Sequence, residues 1–135
     1  MTRTIGIIVS LAFAAASGWL LLSGSDLLDV ELPFAFPAGN IAAAVMLVAA
    51  AVIPVLVSVE GSKLRAVARA TLLLAIAWLP VSVAIAGGMQ LSFSGWQSWA
   101  WMIYTLAILL LVPIVLAWAV VAALLARRKP ASSAR

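Results

Sequence analysis

Three carboxylates crowd one short stretch of this sequence, SGSDLLDVELPFAFPAGN at positions 23–40, where Asp26, Asp29 and Glu31 are three of the four acidic residues in the 135-residue chain. Carboxylates this close admit three kinds of chemistry. They could hold a hard cation such as calcium, which takes six to eight oxygen ligands. The stretch lacks the Asp/Asn alternation, the central glycine and the terminal bidentate glutamate of an EF-hand loop, so it is not expected to be a metal site. Paired carboxylates also serve in general acid/base work such as sugar hydrolysis. That work needs a pocket that excludes water, which two short loops between apolar segments cannot build. The third reading uses the neighbouring residues. Leu27, Leu28, Val30 and Leu32 are threaded among the acids, and Pro33, Phe34, Phe36 and Pro37 follow. Such a stretch suits an interfacial or docking loop, with its acids turned to water or toward a partner's basic residues. Weighed against a plain solvated connection, this makes Asp26, Asp29, Glu31, Phe34 and Phe36 the candidate docking residues.

Elsewhere the chemistry is narrow. The chain contains no cysteine and no histidine, which removes disulfides, thiol catalysis, thiolate or imidazole metal ligation and the usual side-chain ligation of haem. No catalytic, cofactor-binding or metal-ligating residue is assigned, and no enzyme activity is expected. The formal charge is +4, yet a nucleic-acid reader needs a basic stripe on a solvated face. Here the basic residues sit at the ends of apolar runs, and nucleic acid is not an expected partner.

The elements that would carry these residues follow from composition. At 67% hydrophobic and 9% charged, the chain lies far from soluble domains, which are roughly 45–50% apolar and about 25% charged. Four apolar segments, about 5–22, 41–59, 70–86 and 99–126, hold no charged residue and are followed by a polar tail at 127–135. Each approaches or exceeds the roughly 17–25 residues that a membrane-spanning helix needs. The expected fold is all-α, a bundle of four transmembrane helices in a single integral membrane domain. The first segment resembles a secretory signal, with Arg3 before an apolar run and AFAAASG like a cleavage region. Apolar sequence continues through Trp19, Leu20, Leu21 and Leu22, so a retained helix is expected.

Orientation follows from lysine and arginine, which mark cytoplasmic flanks. Arg3 precedes helix 1, Lys63, Arg65 and Arg69 lie between helices 2 and 3, and Arg127, Arg128, Lys129 and Arg135 follow helix 4. The other two connections, 23–40 and 87–98, carry no basic residue. Four spans with both termini in the cytoplasm satisfy this asymmetry, and an odd number breaks it. Lys63, Arg65, Arg69, Arg127, Arg128 and Lys129 are then expected to contact anionic lipids, each contributing roughly 1 kcal/mol near the surface. Boundary residues fit the same count: Asn40, Ser62 and Ser98 as helix N-caps, and Gly61 and Gly87-Gly88 as helix ends.

Helix 4, at about 28 residues, makes about 42 Å against a hydrocarbon core of roughly 30 Å. Its first turns hold Trp96, Trp99, Trp101 and Tyr104, amphipathic rings expected to anchor at the outer interface. Trp118 is expected to pack on a helix or face lipid. Helices 2, 3 and 4 contain Pro54, Pro80 and Pro113, each removing a backbone donor, so kinks are expected there.

A charged residue inside the membrane costs about 2.5–3.5 kcal/mol and usually marks an ion pathway. None occurs in these segments. Ser10, Ser17, Ser58, Thr71, Ser82, Thr105 and Tyr104 are the polar groups available, and a helical hydroxyl can simply bond back to a carbonyl one turn earlier. The expectation is a noncatalytic accessory or assembly subunit of a larger bacterial inner-membrane complex, its partners other integral membrane subunits and membrane lipids. The alternative is a small homo-oligomeric transporter or channel, with a holin-like pore or an immunity protein behind it.

Overall fold

In a computed structural model of the chain, residues 2–23, 30–32, 36–88 and 91–128 are described. They form α1 (Thr2–Leu22), β1 (Glu31–Leu32), β2 (Phe36–Pro37), α2 (Ala38–Val57), α3 (Lys63–Ala86) and α4 (Trp96–Arg128). All four helices are long and apolar enough to cross a membrane. Large apolar side chains such as Ile8, Leu56, Leu73, Ile76 and Ile103 are exposed around the bundle, as expected of helices whose outer surface meets lipid rather than water. The fold is therefore compatible with a multi-pass membrane protein.

α1, α3 and α4 run past the apolar segments that locate them, because backbone hydrogen bonding does not stop at a charge. α3 begins at Lys63 rather than near residue 70, where Ser62 is its N-cap: the Ser62 hydroxyl accepts from the Arg65 N–H at 3.1 Å and donates to the Val59 carbonyl at 2.7 Å. Its far end closes on Gly87, at φ 72° and ψ 11°, whose N–H donates to the Val83 carbonyl at 2.9 Å. That left-handed conformation is open to glycine at little cost.

Three expected boundaries move. α2 starts at Ala38, placing Asn40 inside its first turn, and the Ala38 N–H donates to the Val30 carbonyl at 2.9 Å. The connection itself supplies the acceptor that a capping side chain would have provided. At the other end α2 stops at Val57, so Gly61, at φ 73°, belongs to the turn that leads into α3. α4 starts at Trp96, which puts Ser98 in its first turn. Gln97 Oε1 there accepts from the Ser94 N–H at 3.4 Å, a bond across the turn that leads into the helix.

Two of the bundle's helix–helix seams carry side-chain hydrogen bonds that set a register. Ser10 and Ser17 of α1 hydrogen-bond to the carbonyls of Ala50 and Ala43 of α2. Seven residues forward on α1 match seven back on α2, so the pair is antiparallel and flush. In the second seam the buried residues of α3 are Leu64, Ala68, Thr71, Ala75, Trp78 and Ser82, at alternating spacings of four and three. Buried or half-buried Ala119, Val115, Val112, Ile108, Thr105 and Trp101 of α4 stand level with them in that order. Most levels set a small side chain against a larger one, as in Ala68 against Val115, Ala75 against Ile108 and Ser82 against Trp101. This is the spacing by which antiparallel helices interdigitate along a seam.

Candidate functional site: hydrogen-bonded seams and exposed surfaces

The polar groups of the interior do more than the sequence suggests. Ser58 and Thr71 bond back to the carbonyls of Pro54 and Val67, one turn earlier in their own helices. The other five polar groups bond across helices. The Ser10 hydroxyl donates to the Ala50 carbonyl at 2.7 Å and Ser17 to that of Ala43 at 3.5 Å. Trp78 Nε1 donates to Thr105 Oγ1 at 3.0 Å, Trp101 Nε1 donates to Ser82 Oγ at 3.1 Å, and the Tyr104 hydroxyl donates to the Leu74 carbonyl at 2.9 Å. Back-bonding is open to every helical hydroxyl, but the seams face these groups toward a partner on the neighbouring helix.

Trp78, fully buried, went unremarked among the aromatic residues of the sequence. Its signal was there: it lies seven residues after Thr71 and four before Ser82, on the same helical stripe. Its ring lies 6.3 Å from that of Trp101, tilted by 54°, and Phe93 stacks on Trp101 at 4.9 Å. Trp101 and Tyr104 therefore turn toward α3, whereas Trp96 and Trp99 are exposed at the start of α4. Trp19, at the end of α1, is exposed at the same end of the bundle, and Trp118 is exposed further along α4.

Of the candidate docking residues, Asp26, Asp29 and Phe34 lie outside the described residues. Glu31 and Phe36 lie in β1 and β2, which pair antiparallel with Glu31 opposite Pro37 and Leu32 opposite Phe36. The connection thus folds back on itself as a small hairpin. Among the described residues no group of three acidic, histidine or cysteine side chains could hold a metal ion.

At the opposite end, Lys63 and Arg69 are exposed. Arg65 is half-buried and pairs with the exposed Glu60 at 3.0 Å across the α2–α3 turn. Arg127 and Arg128 close α4, and Lys129 lies outside the described residues. An apolar groove of about 350 Å³ runs between α1 and α4, lined by Leu11, Ala14, Gly18, Leu106, Leu109 and Pro113 among others.

Compared with protein-family models, with curated proteins and with solved structures, the chain matches none.

Proposed function

We propose that this chain is a noncatalytic accessory or assembly subunit of a larger complex in a bacterial inner membrane. In this reading both termini lie on the cytoplasmic side, where the lysines and arginines gather, and Pro54, Pro80 and Pro113 kink α2, α3 and α4. The observation that supports it most is the character of the buried polar groups. Ser10, Ser17, Asn40, Ser58, Thr71, Ser82 and Thr105 are all neutral. The serine and threonine hydroxyls among them serve helix-to-helix or helix-internal hydrogen bonds. Such groups fix one helix against another and offer no site at which a proton or ion is exchanged. What is left for function is surface: the hairpin with Glu31 and Phe36, the groove between α1 and α4, and the basic end.

Purification of the tagged chain from its native membranes in a mild detergent tests this. A fixed set of integral membrane subunits in constant stoichiometry is expected. Recovery of the chain alone, with no stoichiometric partner, counts against it.

The alternative, a small homo-oligomeric transporter or channel, draws support from a proline inside each of α2, α3 and α4. Flux through liposomes that contain this protein alone would favour it. The bond from Ser10 to Ala50, one turn before Pro54, argues against a free hinge in α2.

A further inference from the structure

A proline inside a helix lacks the N–H that would bond to the carbonyl four residues earlier, so α2, α3 and α4 each carry one carbonyl released from the helix ladder. In α2 it is that of Ala50, before Pro54, and α1 serves it through the Ser10 hydroxyl. In α3 it is that of Ile76, before Pro80, on an exposed face. In α4 it is that of Leu109, before Pro113, and no side-chain hydrogen bond among the described residues reaches it.

The Leu109 carbonyl opens into the groove between α1 and α4. A helical carbonyl points along the axis toward residue i+4, so this one lies on the strip between Leu109 and Pro113, and both line the groove. The facing wall gives it nothing. That wall is Leu11, Ala14, Ala15, Gly18 and Leu22 of α1, none with a side-chain donor, and a Cβ built on Gly18 would stand 3.6 Å from Leu109 Cδ2. From Leu11 to Leu22 it runs for about 16 Å, or about three turns. Both walls lie within the candidate spans Ile5–Leu22 and Trp96–Ala122. In lipid, an acceptor opened by a proline is met by a neighbouring helix, often through serine or threonine. α1 does this for α2 and does not do it for α4.

We infer that the groove seats a transmembrane helix of another subunit, which sets a serine or threonine hydroxyl against the Leu109 carbonyl. The inference rests on the accessory-subunit reading and names the surface and the contact that reading uses. The released acceptor selects among occupants. A lipid acyl chain fills an apolar groove but has no donor to give. Away from the helix ends, this chain's own hydroxyls at Ser10, Ser17, Thr71, Ser82 and Thr105 are buried and that of Tyr104 is bonded to the Leu74 carbonyl, so a second copy brings no free hydroxyl.

A photo-crosslinking residue at Leu106 or Leu110, exposed on the α4 side of the groove, tests this in the full chain in its native membranes. Matched sites at Leu56 and Ile76 report on exposed faces of α2 and α3. The expected result is an adduct at Leu106 or Leu110 with one membrane protein, through an apolar helix that carries Ser or Thr within a turn of the crosslinked position. Pro113→Ala returns an N–H to the Leu109 carbonyl and should lower that adduct about three- to tenfold. Changing the captured Ser or Thr to Ala should produce a similar loss, and so should Ala15→Leu, which fills the groove from the α1 side. An adduct with a second copy of this chain, with lipid only, or with a helix that has no hydroxyl overturns the inference, as does an adduct that any of these changes leaves undiminished. A partner captured at Leu56 or Ile76 alone overturns it while leaving the accessory reading intact. Absence of any protein adduct at all four sites overturns both.

Discussion

The Ser10 hydroxyl donates to the carbonyl of Ala50 at 2.7 Å, and Ala50 lies one turn before Pro54. A residue with an N–H at position 54 would serve that carbonyl within α2, but proline has none. α1 thus supplies from outside the hydrogen bond that the proline removes from α2, and in an apolar interior such a group is costly to leave unpaired.

This relationship predicts an energetic coupling. Ser10→Ala should destabilise the protein by about 0.6–2 kcal/mol, the range of membrane hydrogen bonds. In a Pro54→Ala background the carbonyl regains its own partner, and the same serine change should cost clearly less. Unfolding titrations of the four proteins in detergent micelles measure the cycle. Equal costs in both backgrounds would refute the coupling.

Thr105 accepts the indole proton of Trp78, and both side chains are almost wholly buried. Thr105→Val keeps the shape and removes the acceptor, which strands a buried N–H. A loss of about 1–3 kcal/mol is expected. Because the cost arises from the stranded donor, adding Trp78→Phe to Thr105→Val should cost less than the two single losses combined. Strict additivity would show that the bond is not what matters at this level of the seam.

The seam between α3 and α4 pairs Ala75 with Ile108, both fully buried. Ala75→Leu overfills that level, with an expected loss of about 1–3 kcal/mol. Ile108→Ala opens a cavity and should cost about 2–5 kcal/mol. The double variant A75L/I108A exchanges large for small across one level and should recover much of both losses. No recovery in the double variant would mean that these residues do not stand level, and the register would have to be redrawn.

Gly87 ends α3 at φ 72°, and a Cβ added there would meet no atom within 4 Å. The cost of Gly87→Ala is then conformational alone, about 1–2 kcal/mol. Gly87→Asn should cost less, since asparagine tolerates the left-handed region. Thermal unfolding in detergent separates the two variants, and a steric origin would instead make asparagine the worse of them.

The sequence by itself determined what kind of molecule this is. Uninterrupted apolar runs cannot be covered by so little polar sequence, and the absence of cysteine, histidine and intramembrane charge narrows the chemistry before any coordinates are considered. Ser62 and Gly87 were legible as helix ends because capping is local: a side chain or a single torsion acts on the nearest turn. Asn40, Ser98 and Gly61 were misplaced for the same reason. A local rule ranks candidate residues, but it does not see that the Val30 carbonyl serves the start of α2 instead.

Only the tertiary structure decided which partner each hydroxyl and indole takes, because that depends on the register between helices, and register is set by small-against-large packing summed along a whole seam. The spacing of Leu64, Ala68, Thr71, Ala75, Trp78 and Ser82 was present in the sequence, but a pattern on one helix has no height until the matching pattern on another is brought alongside. That alignment also sets Lys63 level with Val120, which leaves the surplus turns of α4 at its arginine-capped end. Composition can count the extra turns, and only a neighbour of known register can say at which end they protrude.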